Sequence, residues 1–294
     1  MHSLTGTGAP DAARAIPESS AQVSPATGET MVRQVRGAVV NHFDSPDVAE
    51  RYAGSRPRRH GRILGLMQQH LAGELPLANA LDVGCGPGHS TVALLPLAGS
   101  VVGLDASSFM LAQADRHPRI QYRKGYAEAL PFRDGEFDLL TVCSAYHWFD
   151  QERFLTEAAR VLRRGGHLVL YKVGSTGRIA NGPDFEVWRR EVFRVRYPKA
   201  ARNDEVLTPE KAVRFGFHDV VRECTTHVMR QKLGDYVDNL LTHSSLIRGI
   251  DDHDEPVLGA RAWLCEELRP FFPNGEAEFA HEDWIHLLRR EEQV

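Results

Sequence analysis

The stretch Leu81-Asp82-Val83-Gly84-Cys85-Gly86-Pro87-Gly88 constrains this chain more than any other. The apolar run Asn79–Val83 ends in glycines separated by single residues, and helical spacing begins directly afterwards, over Ser90–Leu97. A strand, a Gly-rich turn and a helix in that order let the backbone take positive φ angles and approach a ligand closely. The amides at the start of the helix favour an anionic group. Spacing separates the candidate ligands. A dinucleotide fingerprint reads G-x-G-x-x-G, whereas here the glycines fall at 84, 86 and 88, with Asp82 two residues before the first.

Strands and helices alternate beyond this point. Ser100–Leu104 is apolar and β-branched and runs into Asp105. Ser107–Arg116 reads as a helix that Ser107 or Ser108 can cap. Ile120–Tyr122 is a short strand, and Phe137–Cys143 a continuous apolar run after the turn Asp134-Gly135. Gln151–Leu162 is an amphipathic helix stopped by Gly165-Gly166, and His167–Tyr171 is the next strand. Near-continuous apolar strands alternating with helices predict a parallel sheet covered on both faces. Upstream, Asn41–Leu75 reads as helices broken by the polar run Arg56–Arg62. Downstream, Phe185–Val195, Leu233–Leu241 and Val257–Leu268 look helical and His218–Val228 extended. Glu276–Leu288 alternates as a closing antiparallel strand would. Residues 1 to about 30 carry too few aliphatic side chains to offset their ordering entropy, which predicts a disordered tail or a lid that folds on substrate.

Four segments together resemble the class I S-adenosylmethionine-dependent methyltransferases. The first is the glycine turn. The second is Val101–Asp105, whose terminal acid the resemblance assigns to the ribose hydroxyls. The third is Gly125–Phe132 with Gly135-x-Phe137-Asp138, placed against the adenine through the backbone at Ala127. Many relatives carry Asp where this chain has Tyr126, so backbone groups, Glu128 or the Tyr126 ring must substitute; Glu128 fits a functional or a structural role. The fourth is Val142–Asp150, whose string Ala145-Tyr146-His147-Trp148-Phe149-Asp150 is similar to the small-molecule subgroup related to trans-aconitate methyltransferases. Relatives there often have Gln in place of Ser144. Tyr52–Pro57 resembles the subgroup's lid, although Arg59-His60 replace its usual aromatic-proline pair; Arg56 either meets the cofactor carboxylate or is a surface charge.

The resemblance implies an α/β fold: a Rossmann-like, mostly parallel sheet with helices on both faces and a closing antiparallel strand, plus helical lid and cap insertions. The expected organisation is a tail over 1–35, lid helices over 36–75 and a cofactor-binding core over 76–172. A cap segment (173–214), a core strand (215–231), cap helices (232–275) and a closing strand with tail (276–294) follow. The resemblance implies S-adenosyl-L-methionine as cofactor. It would be held by Tyr52, Arg56, Asp82, Gly84, Cys85, Gly86, Gly88, Asp105, Ala106, Met110, Ala127, Glu128, Ser144 and His147.

Methyl transfer needs the acceptor and the methyl group held in line and shielded from water. A carboxylate acceptor needs no base. A hydroxyl or a protonated nitrogen does, and His147 is the candidate. The expected activity is therefore methylation of a small-molecule acceptor, on oxygen or carboxyl in preference to nitrogen or carbon. A nicotinamide-dependent oxidoreductase and a non-catalytic binder of the same cofactor are the competing readings. A net charge of −4 gives no footprint for nucleic acid, and no apolar run reaches the roughly 18–20 residues of a membrane span. The scattered Cys85, Cys143, Cys224 and Cys265 read as reduced thiols of a cytoplasmic protein, with no metal site. The acidic run Asp251–Glu255 reads as a solvated loop, and a homodimer is left open. Trp188, Phe193, Tyr197, Tyr236 and Trp263 read equally as a pocket lining or as core.

Overall fold

The computed structural model describes residues 41–179 and 183–292. The chain divides into Met1–Asn41 and His42–Val294. The sheet and its helices belong to the second unit, and the expected 1–35 tail lies outside the described residues. Strands β1 (Leu77–Val83), β2 (Ala98–Asp105), β3 (Ile120–Lys124), β4 (Phe137–Cys143) and β5 (Leu162–Lys172) are parallel, in the order 3-2-1-4-5. Strands β6 (Ser175–Ile179), β7 (Phe217–Lys232) and β8 (Glu276–Arg290) complete an eight-stranded sheet. β8 lies antiparallel to β5, as the alternation over Glu276–Leu288 predicts, and β7 is antiparallel to β8 outside it.

Alternate residues of the central strands feed the two faces. Leu81, Val83, Leu140, Val142, Leu168 and Leu170 pack with Phe154, Leu155 and Ala158 of α5 (Gln151–Val161) on one side. Ala80, Leu139, Val169 and Tyr171 pack on the other, against Ile63 and Met67 of α2 (Gly61–His70). Each fully buried Leu or Phe contributes about 1.5–3 kcal/mol. The short α3 (His89–Ala93) and α4 (Ser108–Ala112) follow β1 and β2. Ser107 caps α4, its hydroxyl accepting from the Met110 amide at 3.3 Å, but that helix stops well short of the predicted Arg116. α1 (Pro46–Ser55) packs on α4 through Val48, Ala49 and Met110.

A second core belongs to α6 (Pro183–Trp188, continuing through a π turn at Arg189–Phe193 to Arg194–Arg196), α8 (Leu233–Leu240), α9 (Ser244–Asp252) and α10 (Val257–Leu268). α7 (Pro209–Arg214) precedes β7. Trp188, Phe193, Tyr197 and Tyr236 are buried in this second core and Trp263 packs against it, which settles them as core.

The structure corrects two expectations. The helix before β5 ends at Val161, and Leu162 already pairs with Phe137, so the Gly165-Gly166 pair sits inside the strand, where the register with β4 shifts. The acidic run is solvated as expected through Asp254, but it is not all loop: Asp251 and Asp252 end α9, where Arg248 bonds Asp252 at 3.0 Å. Glu255 accepts from the Tyr197 hydroxyl at 2.7 Å and pairs with Arg196 at 2.8 Å. Of these carboxylates only that of Glu255 is drawn largely out of solvent.

Candidate functional site

Five backbone ends converge at the carboxyl edge of the sheet, the edge at which open α/β sheets bind ligands. At the end of β1, Gly84 takes φ +70°, and a Cβ there would stand 2.6 Å from that of Ala145. Gly86 takes φ +54°, and Gly88 takes φ +81° with the Tyr122 ring where a side chain would go. Only glycine fits both constraints at 84 and 88. The helix that follows is five residues long, so its dipole is small and the turn offers mainly its own amides.

Asp105, at the end of β2, shapes the lip of this turn. Its two carboxylate oxygens accept from the Gly86 and Ser107 amides, each at 2.8 Å. Burial raises its pKa, against amide bonds from Ser107, Gly86 and Ala106 that lower it. Each oxygen keeps a further lone pair, which suits a carboxylate that is to accept from a hydroxyl pair. Asp82 stands differently. It is fully buried and accepts from Ser90 Oγ at 2.7 Å, Thr91 Oγ1 at 2.8 Å and Thr141 Oγ1 at 2.9 Å. It therefore meets the site through α3 and β4 and does not face it, and burial pushes its pKa up to about 6. Cys85 is buried, its thiol pKa raised by burial, and it offers the site its backbone.

The loop after β3 is held from behind. Arg160 donates to the Leu130 carbonyl at 2.8 Å and the Phe132 carbonyl at 2.7 Å, while Glu157 accepts from the Leu130 amide at 2.7 Å. Both residues fall within the expected helix Gln151–Leu162, and their i,i+3 spacing on one helix face was the available signal. Ala127 is buried and the Tyr126 side chain is 42% exposed. Glu128 accepts from the Asp150 amide at 2.9 Å and so ties the loop to the start of α5.

After β4, Ser144 takes φ +55°, a left-handed conformation uncommon outside glycine. Its amide donates to the Tyr171 carbonyl at 2.9 Å. His147 follows on a single 3-10 turn, Tyr146–Trp148, its ring 4.8 Å from that of Trp148. Burial first, then the Arg202 charge, push its pKa down to about 4, with Lys172 and Lys199 adding to the effect and Asp204 opposing it. His147 is therefore neutral at pH 7, able to accept a proton, and weakly basic.

The α1 segment covers the glycine turn. A side chain at Gly86 would meet the Tyr52 ring at 4.0 Å. Phe43 packs edge-on against both Tyr52 and Trp148 at 5.8 and 5.9 Å. Arg56 lies over the Tyr52 ring at 4.8 Å and reaches the Thr242 carbonyl at 3.4 Å. Met110, buried beneath α1, completes this contact. Tyr52, Arg56, the glycine turn, Asp105, Ser144 and His147 thus stand around one edge. Among the described residues no group of three or more His, Cys, Asp or Glu is placed to hold a metal, and no described helix is long and apolar enough to cross a membrane.

The sheet is mostly parallel with an antiparallel closing strand, and it carries a glycine turn after β1 and an acid ending β2. Residues 81–170 match the family model of the methyltransferase domain. An uncharacterized methyltransferase of Bacillus subtilis is 33% identical over 129 residues, 42% of this chain and 51% of that protein. A demethylmenaquinone methyltransferase of Lactiplantibacillus plantarum is 39% identical over 122 residues, 38% of this chain and 50% of its own length. The chain thus spans about half the length of these curated relatives. Among solved structures, a protein described as a "Putative Type II Methyltransferase" from Anaeromyxobacter dehalogenans shares the fold, with TM-score 0.60 and 23% identity over 80% of this chain and 96% of that one. The [4+2]-cyclase SpnF shares it too, with TM-score 0.51 and 19% identity over 87% and 96%. Residues 81–170 are thus similar to methyltransferase domains, and the fold alone does not carry the activity.

Proposed function

We propose that this protein transfers the methyl group of S-adenosyl-L-methionine to a small-molecule acceptor, on oxygen or carboxyl, and that it belongs with the subgroup related to trans-aconitate methyltransferases. The observation that carries the reading is the Asp105 carboxylate, aimed by the Gly86 and Ser107 amides at the lip of the glycine turn. The residues fit the cofactor: Asp105 for the ribose hydroxyls, the turn Gly84–Gly88 for the amino-acid end, Ala127 for the adenine, with Tyr52 as cover. Asp82 supports the turn from beneath. When bound, the cofactor supplies an electrophilic methyl on a sulfonium. The chain's own work is to orient the acceptor in line, exclude water beneath α1 and receive a proton where one is released. In this reading 36–75 is a lid, 76–172, 215–231 and the closing strand are core, and 173–214 with 232–275 form a cap. The net charge of −4 favours a small acceptor over nucleic acid, and the free cysteines fit a reducing cytoplasm.

Calorimetry with S-adenosylmethionine, S-adenosylhomocysteine and NAD tests the reading. Both adenosyl ligands are expected to bind, and Asp105→Ala is expected to weaken them roughly 10–100-fold, the loss of charge-assisted bonds worth about 1.5–3 kcal/mol. Tighter binding of NAD than of either adenosyl ligand would move the activity to hydride transfer.

His147 carries a separate prediction. A base must be unprotonated, and a pKa near 4 leaves His147 unprotonated throughout the neutral range. The kcat profile is thus expected to show no histidine limb between pH 6 and 8. A limb near the ordinary histidine value of about 6.5 that disappears in His147→Ala would show a different electrostatic environment from the one described.

A further inference from the structure

Residues 198–208 join α6 to α7 and form neither helix nor strand. Connections of this kind ordinarily run loosely over a protein surface. This one is pinned at several points. Ala200 and Leu207 are buried, Leu207 in the core on the α5 side of the sheet, and the Leu207 carbonyl accepts from Arg222 of β7 at 2.7 Å. Between them the Asn203 amide donates to the His147 carbonyl at 3.0 Å. The Asn203 side-chain oxygen accepts from the Glu205 amide at 3.0 Å. Gln151, the first residue of α5, crosses 54 positions of sequence to donate from Nε2 to the Glu205 carbonyl at 3.1 Å.

Gln151 is 2% exposed, and among the described residues its Oε1 is buried with no hydrogen-bond partner. A buried amide with one half unmet is unfavourable as mere filling, so the bond to Glu205 is what this side chain contributes. The ion pairs on the outer side hold the segment less. Asp204 takes Lys199 at 2.5 Å and Arg202 at 2.6 Å, but the Lys199 and Asp204 side chains are each 52% exposed, and exposed pairs are weak. The turn that the segment meets is weak by itself. Tyr146–Trp148 is a single 3-10 turn, closed by the Trp148 amide on the Ala145 carbonyl at 2.9 Å and the Phe149 amide on the Tyr146 carbonyl at 3.2 Å. Hydrogen-bond geometry in such turns is poor, and His147 stands at the middle of this one.

We propose that residues 198–208 form a strap that fixes the His147 turn at the edge of the candidate site, and that Gln151 and Asn203 are positioning residues acting through the strap on His147. The bond at the His147 carbonyl sets the plane of that peptide, and with it the direction in which the ring leaves the backbone. The Gln151 bond, four residues further along, ties the strap to the same stretch of chain. The strap also carries Lys199 and Arg202, whose charges act on the His147 ring in the same sense as its burial. The inference rests on the methyltransferase reading only for what His147 does in the site. It goes beyond that reading by coupling a cap segment to the site and by naming Gln151 and Asn203.

The experiment uses the full chain and needs no ligand. Amide hydrogen exchange of the parent comes first. The Asn203 and Glu205 amides are expected to exchange roughly a hundredfold or more slower than in an unfolded chain, although their segment has no regular structure. Gln151→Met then fills the same space without the donor. It is expected to speed exchange at Asn203 about tenfold or more. The His147 ring resonance, assigned by its loss in His147→Ala, is expected to titrate roughly one pH unit or more higher, toward the ordinary histidine value. Between pH 7.5 and 5.5 that ring stays untitrated in the parent and begins to titrate in the variant, while the ring of His60, buried at the start of α2, stays untitrated in both. Asn203 is exposed, so Asn203→Ala folds and is expected to give the same two changes to a smaller degree. Unprotected Asn203 and Glu205 amides in the parent would overturn the proposal. So would a Gln151→Met variant that loses thermal stability while the His147 titration stays where it was, since Gln151 would then only fill space. S-adenosylhomocysteine is titrated separately into the same proteins; failure to bind overturns the cofactor reading and leaves the strap.

Discussion

Acidification from pH 7 to pH 5 is expected to cost this protein most of its folding stability. His60, His147 and His281 have folded pKa values near 4, and His243 near 3, each through burial first. An unfolded histidine titrates near 6.5. Above that value neither state holds the proton. Between about 6.5 and 4 the unfolded chain takes it up and the folded chain does not, so stability falls as the pH falls through this window. Asp82 works in the opposite sense. Its folded pKa of about 6 lies above the unfolded value of about 3.9, so near pH 5 the folded state holds one proton that the unfolded state lacks. These four histidines and Asp82 alone leave an excess of about three protons on the unfolded chain, a slope of ~4 kcal/mol per pH unit, with Asp105 and Asp283 acting in the sense of Asp82 and His42, His89, His167 and His286 in the sense of the histidines. A domain of ordinary stability, about 5–15 kcal/mol, then approaches its unfolding midpoint near pH 5. Urea melts at pH 7.5, 6.5 and 5.5 check this. A midpoint that stays constant over that range would mean the four rings are solvated in the folded state.

The strands of the cofactor half were legible because each is a short apolar run bounded by Gly, Asp or a polar turn. Burial on both faces leaves that pattern in the sequence directly, and the glycine turn and Asp105 follow from the ends of such strands. Helix lengths were less legible. Ser107–Arg116 has helical spacing, yet α4 stops at Ala112, since spacing says which face is apolar and not where tertiary contacts end. α9 was not anticipated at all: its buried face, Leu246, Ile247 and Ile250, has only a short span in which to repeat, and the acidic residues after it read as loop. The side chains that hold the site were hidden for a different reason. Thr141, and Glu157 and Arg160 in holding the loop at Leu130, act across long sequence separations; the i,i+3 spacing of Glu157 and Arg160 marks the pair but not the loop it holds.

Asp82 provides the other large effect, and the outcome depends on what replaces it. Removal of the side chain in Asp82→Ala leaves the hydroxyls of Ser90, Thr91 and Thr141 buried without their acceptor, at about 1–3 kcal/mol for each group. Against this stands the relief of burying a carboxylate. A folded pKa near 6 against an unfolded value of about 3.9 puts the penalty on the ionised form at about 3 kcal/mol. The hydroxyls outweigh the charge, and Asp82→Ala is expected to be less stable than the parent by ~2–4 kcal/mol at pH 7, a fall in Tm of roughly 5–15 °C for a domain of this size. Asp82→Asn removes the charge and keeps one acceptor oxygen, enough for Ser90 and Thr91, while its NH2 faces Thr141, whose hydroxyl can rotate to accept. At pH 7 it is expected to be at least as stable as the parent, giving the order Asn, Asp, Ala. The effect extends to the site. Ser90 and Thr91 lie just past the glycine turn, so loss of their anchor should loosen that turn and weaken S-adenosylhomocysteine about tenfold in Asp82→Ala, with little change in Asp82→Asn. Calorimetric melts and ligand titrations of the two variants decide the matter. An Asn variant as unstable as the Ala variant would mean that the negative charge itself, and not its hydrogen bonds, holds the end of β1 in place.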